Sequence, residues 1–206
     1  MTKVKMCGLT READIKNANE LKPDYIGFVF AKKSRRFVTP QRARELKKLL
    51  DKDILAVGVF ADEDMETVLE LIEDGTIDIA QLHGNEDDEY ITVLRERTGK
   101  PVIKAFRITS EQDVLRAEKS KADMILLDAG AGDGRTFDWS LIRSVKREYF
   151  LAGGLAPGNA SRAIEELDPY ALDVSSGIET NGVKDMEKMA AFMRETGINK
   201  RKDNAK

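Results

Sequence analysis

Phe150-Leu-Ala-Gly-Gly-Leu-Ala-Pro-Gly-Asn159, followed closely by Ala171-Leu-Asp-Val-Ser-Ser-Gly177, places two strand-to-helix turns of similar chemistry one after the other. In the first, an apolar strand ends in Gly153 and Gly154 and a helix opens after Pro157; in the second, an apolar strand ends in Ser175, Ser176 and Gly177. Glycine and serine at a strand end let the main chain approach a ligand and aim N–H and hydroxyl donors at its oxygens. Two such turns in tandem suit one phosphate monoester. In (β/α)8 barrels the phosphate site is commonly made by the loops after strands seven and eight, so the pair predicts six strands upstream of it.

Six upstream runs of strand length are present: Val4 to Cys7, Tyr25 to Phe30, Ile54 to Phe60, Ile77 to Leu82, Val102 to Phe106 and Met124 to Asp128. With Phe150 to Gly153 and Ala171 to Ser175 they make eight. Several are nearly continuous apolar runs, which fits parallel strands covered on both faces. Segments with a helical stripe alternate with them. Met65, Val68, Leu69 and Ile72 keep the i, i+3, i+4, i+7 spacing, as do Ala160, Ala163, Ile164 and Leu167, and Met186, Met189, Ala190 and Met193. Thr39 before Pro40, Ser110 and Asp138 read as helix N-caps, and Gly75 and Gly99 sit where C-caps belong. The expected architecture is a compact, single-domain α/β (β/α)8 TIM barrel over residues 1–198, with a polar tail at 199–206. A doubly wound sheet is the competing arrangement. Its dinucleotide fingerprint fails at Gly130-Ala-Gly-Asp-Gly-Arg135, where Arg135 replaces the last glycine, and this stretch reads as a mobile, lid-like loop after strand six.

Composition narrows the partners. The 206 residues suffice for one good core, and 34 Lys+Arg against 37 Asp+Glu leave a net charge of −3. No global basic field attracts nucleic acid, so an anion must be held locally. No apolar run approaches the ~20 residues that span a bilayer, so no membrane partner is expected. The single cysteine, Cys7, cannot form an internal disulfide, and with no signal-length apolar stretch a cytoplasmic location is expected. One Cys and one His without a carboxylate cluster do not make a zinc site, so no metal is expected.

Catalytic groups in such a barrel belong at the C-terminal ends of strands. Cys7 closes the first run and Asp128 the sixth. A lone cysteine is commonly a small buried hydrophobe. At the active face it becomes a candidate base, provided something lowers its pKa, and Lys5, two residues back on the same side, is the candidate helper. Asp128 either caps the following loop or, in a desolvated pocket, donates a proton. In Lys32-Lys-Ser-Arg-Arg36, Arg36 is the candidate fork for a substrate carboxylate and the other four read as solvated surface. His83 ends strand four, where it would contact ligand or orient a loop. Lys104 invites a Schiff-base reading, weakened because it precedes its strand's end by two residues and would lie deeper in the barrel.

Taken together, Lys5-Met-Cys-Gly-Leu9, Gly27-Phe-Val-Phe30 with Ser34-Arg-Arg36, Val57-Gly-Val-Phe60, Gln81-Leu-His-Gly84, Leu127-Asp128, Phe137-Asp-Trp139, Leu151-Ala-Gly-Gly-Leu155 and Asp173-Val-Ser-Ser-Gly177 resemble phosphoribosylanthranilate isomerases. The likeness spans nearly the whole chain in order and departs from the family at Gly130 to Gly134. It implies a (β/α)8 barrel of tryptophan biosynthesis that carries out an Amadori rearrangement of N-(5-phosphoribosyl)anthranilate without metal or cofactor. By the same resemblance Cys7 is the general base, Asp128 the general acid and Arg36 the holder of the anthranilate carboxylate. Gly153, Gly154, Ser175 and Ser176 fall on the phosphate turns, and Asp173, on the same side as Ser175 by strand alternation, would reach the substrate or order the site. The implied partner is a small phosphosugar, and the chain would act as a monomer or homodimer. Two other readings stand beside it: a related phosphosugar isomerase or synthase on the same barrel, and a non-catalytic phosphate-binding barrel.

Overall fold

All eight apolar runs become parallel strands, and they close into a ring in chain order from β1 to β8. The computed structural model describes residues 2–128 and 139–197, and the Gly130 to Gly134 loop, the Asp138 cap and the 199–206 tail lie outside the described residues. The strands are β1 (Lys3–Cys7), β2 (Tyr25–Val29), β3 (Leu55–Phe60), β4 (Ile79–Leu82), β5 (Val102–Arg107), β6 (Met124–Asp128), β7 (Tyr149–Ala152) and β8 (Ala171–Val174). Closure pairs β1 with β8 and leaves no unpaired edge in the ring.

Around it run α1 (Glu12–Leu21), α2 (Pro40–Leu49), α3 (Met65–Glu73), α4 (Asp88–Thr98), α5 (Glu111–Lys119), α6 (Ala160–Leu167) and α7 (Met186–Glu195). Local chemistry starts and stops them. Thr39 accepts from Arg42 N with Pro40 at the first helical position, and Ser110 accepts from Asp113 N. Gly99 ends α4 in the left-handed conformation at φ 63°. The expected helical segment after β6 is, among the described residues, only a 3₁₀ turn at Trp139–Ile142. There Arg147 reaches back to the C-terminal end of α5, donating to Ser120 O at 2.7 Å and Ala122 O at 2.6 Å.

The strand ends reveal a repeated device. Asp24, Asp78 and Asp123 stand just before β2, β4 and β6, and each accepts a main-chain N–H from the strand before it: Val4 at 2.9 Å, Ala56 at 2.8 Å and Val102 at 2.9 Å. A side-chain acceptor thus extends the ladder below the paired residues, and β4 begins at Ile79 rather than Ile77.

Side chains alternate between two cores. Inside the ring Tyr25, Val57, Ile79, Ile103, Ala105, Leu126, Phe150, Ala152 and Ala171 pack together. A larger core fills the layer between strands and helices, where Met6, Phe28, Phe60, Leu127 and Leu172 meet Ile15, Leu46, Leu69 and Met189. Fully burying one such side chain contributes about 1.5–3 kcal/mol. Lys104 has the outward phase. It lies between Ile103 and Ala105 and ties its ammonium to Gly84 O at 2.7 Å and Glu86 Oε2 at 2.8 Å, so it cannot reach a ligand in the mouth. The expectation that it lies deeper in the barrel is corrected.

Candidate active site

At the C-terminal ends of the strands opens a cavity of about 510 Å³ whose lining includes Cys7, Arg36, His83, Asp128, Gly153, Gly154, Asp173, Ser175 and Ser176. These nine residues, expected from the sequence at the site, therefore border one space, while Lys5 and Lys104 are not among its lining. Phe60, Val59 and Leu155 supply apolar wall beside the nine.

Cys7 ends β1 with its side chain over Gly27 of β2. A Cβ on Gly27 would stand 2.7 Å from Sγ, so only glycine leaves the thiol its place. Beneath it Lys5, wholly buried, donates to Asp173 Oδ2 at 2.8 Å. Lys5 does pull the thiol downward, as Lys184 does, but burial prevails and Cys7 stands above its ordinary value. The expected helper acts in the expected direction without deciding the outcome. Burial likewise pushes Asp173 upward against the pull of Lys5. Among the described residues its Oδ1 is buried without a hydrogen-bond partner, as is Gln81 Oε1 on the same cavity wall.

Asp128 ends β6 with Oδ2 3.6 Å from His83 Nε2, while Gln81 Nε2 lies 3.5 Å from His83 Nδ1. The imidazole is thus held between an amide and the carboxylate, an orienting position.

The two turns interlock. Gly153 and Gly154 take positive φ of 94° and 65°, which L side chains rarely adopt. Gly177 packs against the first turn so closely that a Cβ would collide with Leu155 O and come within 2.8 Å of Ala156 Cα. Ser175 Oγ donates to Cys7 O at 3.0 Å and joins the second turn to the end of β1.

Sequence reasoning missed the hairpin that follows. β9 (Glu179–Thr180) and β10 (Val183–Lys184) pair antiparallel around Asn181-Gly182, both with positive φ, a type I′ signal present in the chain. Glu179 accepts from Arg36 Nε at 2.6 Å and Nη2 at 3.0 Å, and from Lys184 Nζ at 2.7 Å. Burial disfavours its charge, yet the hydrogen bonds from Arg36 and Lys184 outweigh it and hold the carboxyl below its ordinary value. Two of the expected surface residues also belong here. Arg35 Nη2 donates to Glu179 Oε2 at 2.9 Å, and Ser34 lines the cavity and accepts from Arg36 N at 3.1 Å.

A thiol at the end of β1, a carboxyl at the end of β6, an arginine and two glycine/serine turns thus border one cavity, groups able to exchange protons and to hold an anion. Residues 4–195 match the family model described as N-(5'phosphoribosyl)anthranilate (PRA) isomerase. The chain is 45% identical over 194 residues to the N-(5'-phosphoribosyl)anthranilate isomerase of Endomicrobium trichonymphae, covering 92% of this chain and 95% of that one. It is 42% identical over 200 residues to that of Thermoanaerobacter pseudethanolicus, covering 94% and 97%. Among solved structures it resembles the phosphoribosyl anthranilate isomerase of Thermotoga maritima with a TM-score of 0.87 at 38% identity, over 96% of this chain and 99% of that one. A phosphoribosyl anthranilate isomerase in complex with reduced 1-(o-carboxyphenylamino)-1-deoxyribulose 5-phosphate gives a TM-score of 0.86 at 38% identity, with the same coverage.

Proposed function

The chain belongs to the N-(5'-phosphoribosyl)anthranilate isomerase family and is an isomerase of tryptophan biosynthesis, and from that premise we propose that Cys7 is its general base and Asp128 its general acid. The observation that carries this assignment is that one cavity is bordered by both groups, by Arg36, and by both glycine/serine turns.

Asp128 delivers a proton to the ring oxygen of the aminoribose, which opens to a Schiff base. The Cys7 thiolate takes the proton from C2′, and the enolamine that results tautomerises to the ketone. Protons are moved and none is gained or lost, so the isomerisation needs no cofactor. The turns at Gly153, Gly154, Ser175 and Ser176 hold the phosphate, and Arg36 holds the anthranilate carboxylate. Asp173 and His83 border the sugar between these anchors. Asp173 Oδ1, an acceptor already stripped of water, suits a substrate hydroxyl. Anchoring both ends fixes the C2′ hydrogen against the thiol, which is where positioning contributes to rate. The burial that raises the Cys7 pKa also makes its thiolate a stronger base once formed. The working unit is a monomer or homodimer in the cytoplasm; the Thermotoga maritima relative is described as dimeric, with monomers derived from it.

The test is direct. Purified protein mixed with N-(5-phosphoribosyl)anthranilate is expected to consume it, followed by the loss of its fluorescence. A folded wild-type chain that leaves the signal unchanged would overturn the proposal and favour the non-catalytic barrel.

A further inference from the structure

Glu179 has no part in the proton transfers, yet its buried carboxylate collects hydrogen bonds from three cations, Arg35, Arg36 and Lys184. A guanidinium is flat and offers five N–H donors along its edges. The Nε–Nη2 edge of Arg36 is taken by Glu179, at 2.6 and 3.0 Å, and the edge formed by Nη1 and the second Nη2 hydrogen meets no acceptor among the described residues. The stem is fixed as well, because it lies across Gly8, at φ 79°, where any Cβ would collide with Arg36 Cδ. One carboxylate among three cations leaves the group net positive, so the fork keeps its attraction for an anion. The far side of Glu179 is anchored through Lys184, which also donates to Ser175 O at 2.9 Å.

We infer that Glu179 is a positioning residue that fixes which edge of the Arg36 guanidinium faces the cavity, and so sets the enzyme's selectivity for a ligand bearing a carboxylate at its aromatic end. This rests on the assignment of Arg36 to that carboxylate. The hairpin is then part of the specificity apparatus rather than a structural appendage.

The experiment compares two unreactive ligands on the full chain by competition in the isomerase assay: the reduced product analogue, and the same compound built on aniline and therefore lacking the carboxyl. Glu179→Gln is expected to weaken the carboxylated ligand about tenfold and the aniline ligand by less than about twofold. Glu179→Asp keeps the charge and shortens the arm. It is expected to show the same selectivity with a smaller loss, and it carries the test if the glutamine variant does not fold. Arg36→Met serves as the control and is expected to abolish discrimination between the ligands. If Arg36→Met leaves discrimination intact, the Arg36 assignment fails. If Arg36→Met abolishes it while the Glu179 variants weaken both ligands alike, or neither, the positioning role is overturned and the Arg36 assignment stands.

Discussion

Lys3 and Lys5 leave the same strand on the same side, two residues apart, and finish in opposite kinds of place. At the floor of the barrel Lys3 Nζ donates to Tyr170 OH at 2.7 Å and Tyr25 OH at 3.3 Å, and the two phenols lie 3.1 Å apart. The Phe150 ring packs against both, with centroids 5.4 Å from Tyr25 and 5.5 Å from Tyr170. The hydrogen bond that Lys3 donates to Tyr170 holds its ammonium above the ordinary value, and burial foremost pushes Tyr25 up to about 12. Every polar tip of that cluster has a partner. At the mouth Lys5 meets a carboxylate instead, and Asp173 Oδ1 and Gln81 Oε1 stay buried and unmatched. The remaining buried side-chain atom without a partner among the described residues is Thr2 Oγ1, ahead of β1. The Lys3, Tyr25 and Tyr170 cluster is satisfied within the protein, whereas on the cavity wall at the mouth two acceptors have no partner among the described residues. This is the division between stability and chemistry expected of the two faces of a (β/α)8 barrel.

Five substitutions can break or sharpen that division. The largest effect is expected at the mouth: Asp128→Asn and Cys7→Ala should each lower kcat by about 10²–10⁴-fold, with melting close to wild type and KM little changed. Near-normal turnover in either variant would remove that group from the chemistry. At the floor, Phe150→Ala should cost about 3–5 kcal/mol of unfolding free energy in urea while kcat, measured well below the melting temperature, holds. A loss of kcat at unchanged stability would show that floor and mouth are not separable.

Lys5→Met examines the mouth's electrostatics. The Cys7 pKa is raised by burial and lowered by Lys5, so removing the cation should move the midpoint of iodoacetamide labelling to higher pH. With the Cys7 thiolate as the proposed base, wild-type kcat/KM should climb with pH up to that raised midpoint. Linkage runs the other way for folding. Because the folded thiol titrates above its unfolded value, the stability it contributes is present below the unfolded pKa and fades as pH rises through the folded one. A labelling curve that does not move would remove Lys5 from the tuning of Cys7. The smallest change is expected from Tyr170→Phe, which deprives Lys3 of one acceptor. About 1 kcal/mol of stability should be lost, with activity intact, as read by chemical denaturation.

Much of this architecture can be read before folding, and the reasons are local. Parallel strands covered on both faces must be apolar along their length, so eight such runs announce themselves, and the residues that end them, Cys7, His83, Asp128, Gly153 and Ser175, mark the mouth. Helix starts such as Thr39-Pro40 are equally local, since the cap bonds lie within one turn. The same double burial hides the phase of each strand, because a continuous apolar run carries no alternation to tell inside from outside. That is why Lys104 reads as a barrel residue and turns out to face Glu86 in the outer layer.

The chain's own order therefore determines the element count, the closure and the catalytic candidates, each written in neighbouring residues. What only the folded molecule decides is the set of long-range charge partners: Asp173 beneath Cys7 through Lys5, Glu179 on the fork of Arg36, and Tyr170 over Lys3. Those pairs join residues more than a hundred positions apart, and a charge a full barrel away in sequence leaves no periodicity, cap or turn signal to announce it.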